Sequence, residues 1–186
     1  MKPTKLKDLL KGIAVTKQPD TLITKITTDS RLADKGSVFV AIKGDKFDGN
    51  DFARSAIESG AEAVIVSRYT NSEGEQIIVR DTKDALIEMA GNYRNAFNPK
   101  TVARTGSVGK TTTKEMTAAI FSRFGKTLKN EGNQNNEIGL PSTLFKMDDD
   151  TEFAVLEMGM NGLGDIRKLT TAAKPRAGVI TTIGVS

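Results

Sequence analysis

The chain has 186 residues, is 38% hydrophobic, and balances 27 Lys and Arg against 23 Asp and Glu for a formal net charge of +4. Length and apolar content suffice for one sizeable domain or two small ones with a buried core. With no cysteine and no histidine, disulfides, thiolate and imidazole metal sites, histidine triads and histidine pH switches are excluded. Acid–base and metal chemistry falls to Asp, Glu, Lys or Tyr.

No run approaches the roughly 18 apolar residues that span a bilayer, and the start MKPTKLKDLLKG lacks a signal-peptide apolar core. The expectation is a soluble cytoplasmic protein without membrane insertion. The charges are interspersed, with no basic block, so no nucleic-acid partner is expected; a mild positive bias suits an anionic small molecule.

In chain order, residues 4–11 place Leu6, Leu9 and Leu10 at helical spacing, ended by Gly12. Two β-rich runs follow, 22–28 and 37–42, with Asp29-Ser30-Arg31 at the strand-to-loop junction between them. Asp and Ser there commonly form a local side-chain-to-backbone turn. A hydroxyl and guanidinium facing a phosphate or sugar is the alternative. A polar loop, Lys43 to Phe52 with Gly44 and Gly49, leads into a helix over 53–59; such loops connect elements and also bind ligands. Residues 63–66 and 76–79 read as two buried strands. Between 83 and 97, Leu86, Met89, Ala90, Tyr93 and Phe97 recur at helical spacing, as a core-facing stripe does.

Asn98-Pro99 breaks that pattern and sets the expected domain boundary. Beyond it strands and helices alternate: a strand over 101–105, a helix over 110–124 with Met116, Ala119, Ile120 and Phe124 on one face, and a short strand at 127–128. An Asn-rich loop, 130–136, precedes a helix over 138–146 with Pro141 in its first turn. Then come a buried strand over 153–157, a helix over 164–173 and a strand over 177–183. This alternation implies a parallel sheet, whose ligands bind beyond the carboxyl ends of the strands.

The chemistry concentrates at Thr101 to Thr113, TVARTGSVGKTTT. A strand meets a turn with two glycines, Gly106 and Gly109, and Lys110 then opens a helix. Closely spaced glycines let backbone N–H groups turn around an anion, and the helix adds its free N-terminal amides and positive dipole end. Lys110 is placed to reach β- and γ-phosphates and Thr111 to ligate Mg²⁺. The full pattern G-x-x-x-x-G-K-[ST] asks for glycine where the chain has Arg104, so only its second half is present. Glu157 ends its strand as the phosphate loop ends another, and a carboxylate there supplies the hard oxygen ligand Mg²⁺ prefers. Pairing with a nearby Lys or Arg is the plainer role for it. Gly159 and Gly162 after it leave room for a ligand.

These residues give the chain a resemblance to the Mur ligases of peptidoglycan synthesis. It resembles most the branch that joins D-alanyl-D-alanine to a UDP-N-acetylmuramoyl tripeptide. The motifs are TGSVGKTTTKEM (105–116), GNQNNEIGLP (132–141), LEMGMN (156–161) and the closing ITTIGVS, with DSR (29–31) and FVAIKGDKFDGNDF (39–52) ahead of them. Together they cover nearly the whole chain in family order.

The resemblance implies α/β architecture: a small N-terminal α/β domain over 1–98 that binds the UDP-sugar peptide, then a partial P-loop parallel-sheet domain over 99–186 that binds ATP. It implies an ATP-dependent amide ligase that phosphorylates the peptide's terminal carboxylate, after which the amine of D-alanyl-D-alanine attacks the acyl phosphate. ATP and Mg²⁺ are the implied cofactors. Lys110 would clamp phosphates and Thr111 and Glu157 would hold Mg²⁺. Thr105, Gly106, Ser107, Val108, Gly109 and Thr112 complete the loop, and Asn133, Asn135 and Asn136 would line the nucleotide crevice. Ser30, Arg31, Lys43, Gly44, Asp48, Gly49 and Asn50 would hold the UDP-sugar.

Three positions depart from the family pattern. Arg104 stands for an apolar strand residue, Asn50 for the histidine of D-G-H-D-F, and Thr182 for the asparagine of T-N-I-G. The chain also stops before the family's next expected histidine, the second-substrate site and a metal-bridging lysine. No complete ligation is therefore expected from it alone; a missing C-terminal portion or another chain would be needed. Readings without ligase chemistry are a nucleotide or UDP-sugar binding module and a generic P-loop phosphotransferase.

Overall fold

The structure is a computed structural model that describes residues 1–184. The chain divides into two compact units, one from Met1 to Asn92 and the other from Tyr93 onward.

In the first unit, Thr4–Lys5 (β1) pairs antiparallel with Leu22–Ile23 (β2). The helix expected over 4–11 is therefore a single turn, Leu6–Leu9 (α1). Leu6, Leu9 and Leu10 are all buried, and Gly12 takes the left-handed φ of +80° that ends the segment. The strand expected over 22–28 is likewise split. Lys25–Thr27 (β3) pairs parallel with Ser37–Val40 (β4) instead, and Thr24 between the two strands donates its amide to Gly36 O.

The main sheet adds Ala63–Val66 (β5) and Glu75–Ile78 (β6) in the order β3-β4-β5-β6, all parallel. β4 and β5 are buried at every position, as continuous apolar runs covered on both faces must be. On one face Phe39, Ala41, Val64 and Val66 pack with Ala53 and Ala56 of the helix Ala53–Glu58 (α2). β6 is an edge strand rather than a buried one, and Ile78 is exposed. The helix Thr82–Arg94 (α3) buries the expected stripe of Leu86, Met89, Ala90 and Tyr93, of which Tyr93 falls in the second unit. It ends before Phe97, and Asn98 follows at φ +48°.

The second unit is built on a parallel sheet of Lys100–Thr105 (β7), Thr127–Lys129 (β8), Phe153–Glu157 (β9) and Ala177–Ile180 (β10). Their order in space is β10-β7-β9-β8. Three helices connect them: Lys110–Phe121 (α4), Gly139–Leu144 (α5) and Asp165–Ala173 (α6). α4 packs across β7, β8 and β9.

The face of α4 that meets the sheet carries Lys114 and Ala118, both buried. Met116, Ile120 and Phe124, the expected apolar face, are exposed instead. A short side chain at Ala118 suits a helix lying close to the sheet, and the long aliphatic stem of Lys114 fills space as an apolar side chain would. Pro141 sits in the first turn of α5 as expected. β10 is exposed throughout and stops at Ile180. No helix among the described residues is long and apolar enough to cross a membrane.

Candidate functional site

The order of the second sheet decides the site. β7 and β9 are neighbours, with Arg104 in register with Glu157, so the loop after β7 and the last residue of β9 emerge at the same carboxyl edge. Gly106 and Gly109 take φ of +138° and +84°, values that L side chains rarely adopt. At Gly106 an added Cβ would lie 2.1 Å from Thr181 Oγ1, whereas at Gly109 it would meet nothing within 4 Å. The first glycine is thus required by packing as well as conformation, and the second by conformation alone.

The loop is held from the other side by the segment after β10. Ser107 N donates to Thr182 O (2.8 Å) and Thr181 N to Thr105 O (2.9 Å), and Val108 bridges to Thr182. Thr182 serves here through its backbone, which any residue type provides. Gly109 has no side chain to cap α4, so the first-turn amides have no side-chain acceptor at the N-cap.

Lys110 Nζ donates to Gly106 O (2.7 Å) and Ser107 O (3.2 Å), which folds the ammonium back over the loop. Thr111 Oγ1 donates to Glu157 Oε2 (2.9 Å). Asn135 Nδ2 donates to the other carboxylate oxygen, Oε1 (2.9 Å). Glu157 is only 3% exposed, so these bonds set its orientation.

A cleft of about 400 Å³ is lined by Ser107 to Thr112, Asn133, Asn135 and Glu157. Asn136 is not among the residues lining this cleft; its Oδ1 accepts from Ile138 N and Gly139 N, at the entry to α5. Thr105 lies in the strand below, its carbonyl committed to Thr181.

Asn130 is the residue that sequence reasoning passed over. Fully buried, it donates through Nδ2 to Gln134 O (2.8 Å) and Glu157 O (2.9 Å) and accepts at Oδ1 from Glu157 N (2.8 Å). It ties the Asn-rich loop to the end of β9. Its position at the head of that loop was the only signal available.

Arg104 is 2% exposed. Its Nη1 donates to Lys110 O (3.2 Å), while Nε is buried without a hydrogen-bond partner. Burial pushes its pKa down from the usual guanidinium value, and the carboxylates of Glu157 and Glu115 oppose that shift. Lys114 is buried close by on α4 and pairs with Glu115 (3.3 Å), which also meets Lys129.

In the first unit the expected sugar-site residues fall into two groups. Ser30 and Arg31 form a 3₁₀ turn, Ser30–Leu32, capped by Asp29. The Arg31 guanidinium closes back on Asp29 (Nε to Oδ1 2.9 Å, Nη2 to Oδ2 2.7 Å), so the local-turn reading of this motif is the observed one. Lys43, Gly44, Asp48, Gly49 and Asn50 share one loop. Lys43 bridges to Asp48, and Gly44 N donates to Phe47 O.

Asp48 Oδ1 accepts from Asn50 N (2.9 Å) and Nδ2 (2.6 Å). Buried Asn50 also exchanges bonds with Ser67: Nδ2 to Oγ and Ser67 N to Oδ1, both 2.9 Å. A cleft of about 470 Å³ opens beside it, lined by Asn50, Asp51, Arg54, Arg68, Tyr69, Thr70 and Asn71. Of the seven expected sugar-site residues only Asn50 lines that cleft. Arg54, Arg68 and Tyr69 were not singled out from the sequence, because their approach depends on α2 and the end of β5 lying side by side.

The fit to a magnesium nucleotide rests on the donors present. A threonine hydroxyl and a buried carboxylate 2.9 Å apart are hard oxygen ligands within reach of one ion. The first turn of α4, with no side-chain cap, and the Lys110 ammonium border the adjoining cleft, groups that suit phosphate oxygens.

A parallel sheet whose inner strand feeds a glycine turn, a lysine and a helix, with a carboxylate on the next strand, defines a P-loop α/β protein. Two family models match: the Mur ligase family catalytic domain over residues 22–124 and the Mur ligase middle domain over 105–186. The first covers more than half the chain, and the chain belongs to the Mur ligase family.

Among curated relatives, the "UDP-N-acetylmuramoyl-tripeptide--D-alanyl-D-alanine ligase" of Synechocystis sp. is 43% identical over 90% of this chain and 37% of its own length. The Escherichia coli protein of the same name is 40% identical over 98% of this chain and 40% of its own length. Among solved structures, MurF from Acinetobacter baumannii superposes with a TM-score of 0.93 at 35% identity, over all of this chain and 42% of that one. MurF ligase from Thermotoga maritima in complex with ADP gives 0.80 at 37% identity, over 86% and 38%. The chain thus spans about two fifths of the length of the relatives it matches.

Proposed function

We propose that this chain supplies the Mg-ATP site and the UDP-sugar-peptide site of an ATP-dependent amide ligase joining D-alanyl-D-alanine to a UDP-N-acetylmuramoyl tripeptide in the cytoplasm. The observation that carries the reading is the convergence of Lys110, Thr111 and Glu157 at the carboxyl edge of two adjacent strands. The names of the relatives and the ADP complex of one of them support it.

ATP would supply the phosphoryl group that activates the peptide carboxylate as an acyl phosphate. The residues' share is positioning and charge neutralisation. Lys110, now held by two neutral carbonyls, would find stronger charge-assisted partners in phosphate oxygens. Thr111 and Glu157 would hold Mg²⁺, with Asn135 orienting the carboxylate. The first unit, with Asn50 and Arg68 on its cleft, would take the UDP-sugar peptide.

The relatives extend well beyond the matched region, so the test reads binding rather than turnover. A calorimetric titration of Mg-ATP should give saturable binding that Lys110→Ala abolishes. Equal affinity in parent and variant would refute the assignment of the phosphate loop.

A further inference from the structure

Arg104 poses a question that the phosphate loop alone does not answer. A guanidinium 2% exposed with one hydrogen bond of 3.2 Å to Lys110 O and a buried Nε lacking any is a poor choice for stability. Leucine or methionine would fill the same strand position without desolvating a charge. Its location, by contrast, is specific. It stands two residues before Gly106, in register with Glu157 on the adjacent parallel strand, and side chains at paired positions of parallel strands share a face. Its one bond reaches the first residue of α4, the helix whose N-terminus borders the cleft. A positive charge held under that helix, where water is excluded, acts on an anion far more strongly than one in solvent.

We propose that Arg104 is a positioning residue for the nucleotide phosphates, bracing the first turn of α4 and adding a fixed positive charge beneath the loop. The inference rests on the nucleotide-site reading above. It accounts for an ill-satisfied cation at a position where the family pattern has an apolar residue: the charge costs fold stability and returns anion affinity, a trade familiar at functional sites. Lys114, also buried on α4, pairs with Glu115 (3.3 Å), a carboxylate it shares with Lys129. Arg104 makes no direct ion pair among the described contacts; the carboxylates of Glu157 and Glu115 act on it only through space.

The experiment compares ATP, ADP and AMP at fixed Mg²⁺ on the full chain by calorimetry, in the parent, Arg104→Leu, Arg104→Lys and Lys110→Ala, with urea midpoints for each. Arg104→Leu should weaken ATP about tenfold, as expected for loss of one nearby charge at intermediate dielectric. It should weaken ADP less and AMP least, with an unchanged or higher urea midpoint. Arg104→Lys should keep most of the affinity and the ranking.

Unchanged ATP binding in Arg104→Leu would overturn the inference. So would an equal loss for all three nucleotides with a lower midpoint, which is the mark of a purely structural role. Should Arg104→Leu not fold, Arg104→Gln removes the charge while keeping a donor for Lys110 O and carries the same comparison. Loss of ATP binding in Lys110→Ala alone leaves the nucleotide site standing and removes Arg104 from it. No nucleotide binding by the parent removes both.

Discussion

Truncating Asn130 tests whether the Glu157 end of β9 is held by the side chain identified above. Asn130→Ala deletes three hydrogen bonds, two donated to Gln134 O and Glu157 O and one accepted from Glu157 N. At about 1 kcal/mol net for each bond and about 1 kcal/mol more for a buried Glu157 amide left without an acceptor, the loss is about 4 kcal/mol. With a urea m-value of about 2 kcal/mol/M the midpoint should fall by about 2 M.

The transition can be assigned to the second unit by fluorescence. The chain has two tyrosines and no tryptophan. Tyr69 is exposed while Tyr93 is buried and donates to Met147 O (2.7 Å). In a Tyr69→Phe background, Tyr93 alone reports on the second unit. Asn130→Asp should not recover the loss, since it sets a fully buried carboxylate oxygen against the Gln134 and Glu157 carbonyls to which it cannot donate. A midpoint shift under about 0.5 M for Asn130→Ala would mean that water or backbone rearrangement satisfies those groups, and the argument that Asn130 anchors Glu157 would fail.

Two further outcomes are expected from the first unit. Gly49→Ala would place a Cβ 2.6 Å from both Ile42 N and Ile42 O. This is a clash of backbone with backbone that side-chain rotation cannot relieve, and it should destabilise by about 3 kcal/mol in urea unfolding. Asp29, whose carboxylate accepts from the Arg31 side chain and amide, has its pKa lowered to about 2. A depressed carboxylate pKa contributes stability above its unfolded value of about 3.9 and loses it as pH falls toward 2. Its carboxyl carbon resonance should titrate near 2 in the folded chain, and Arg31→Ala should move that midpoint upward; a midpoint near 4 in the parent would refute the pairing.

What the sequence determines by itself is local. The glycine turn, Lys110 and Thr111 between a β-prone run and a helical one could be read directly, because a phosphate loop is a contiguous device whose parts are adjacent in the chain. The alternation of elements and the carboxylate that ends the strand over 153–157 could be read for the same reason.

What the tertiary structure decides is everything that depends on a neighbour distant in sequence. The order β10-β7-β9-β8 brings Glu157 to Thr111 across 46 positions, and no local pattern encodes which strands pair. The strand expected over 22–28 divides because its halves find different partners. α4 turns Lys114 and Ala118 to the sheet and leaves Met116 and Ile120 exposed, because helical periodicity marks faces but not what lies opposite them. Arg104 breaks the expected motif on paper. Only the fold buries its guanidinium against Lys110 O, since burial is a property of the packed layers rather than of the strand that carries the residue.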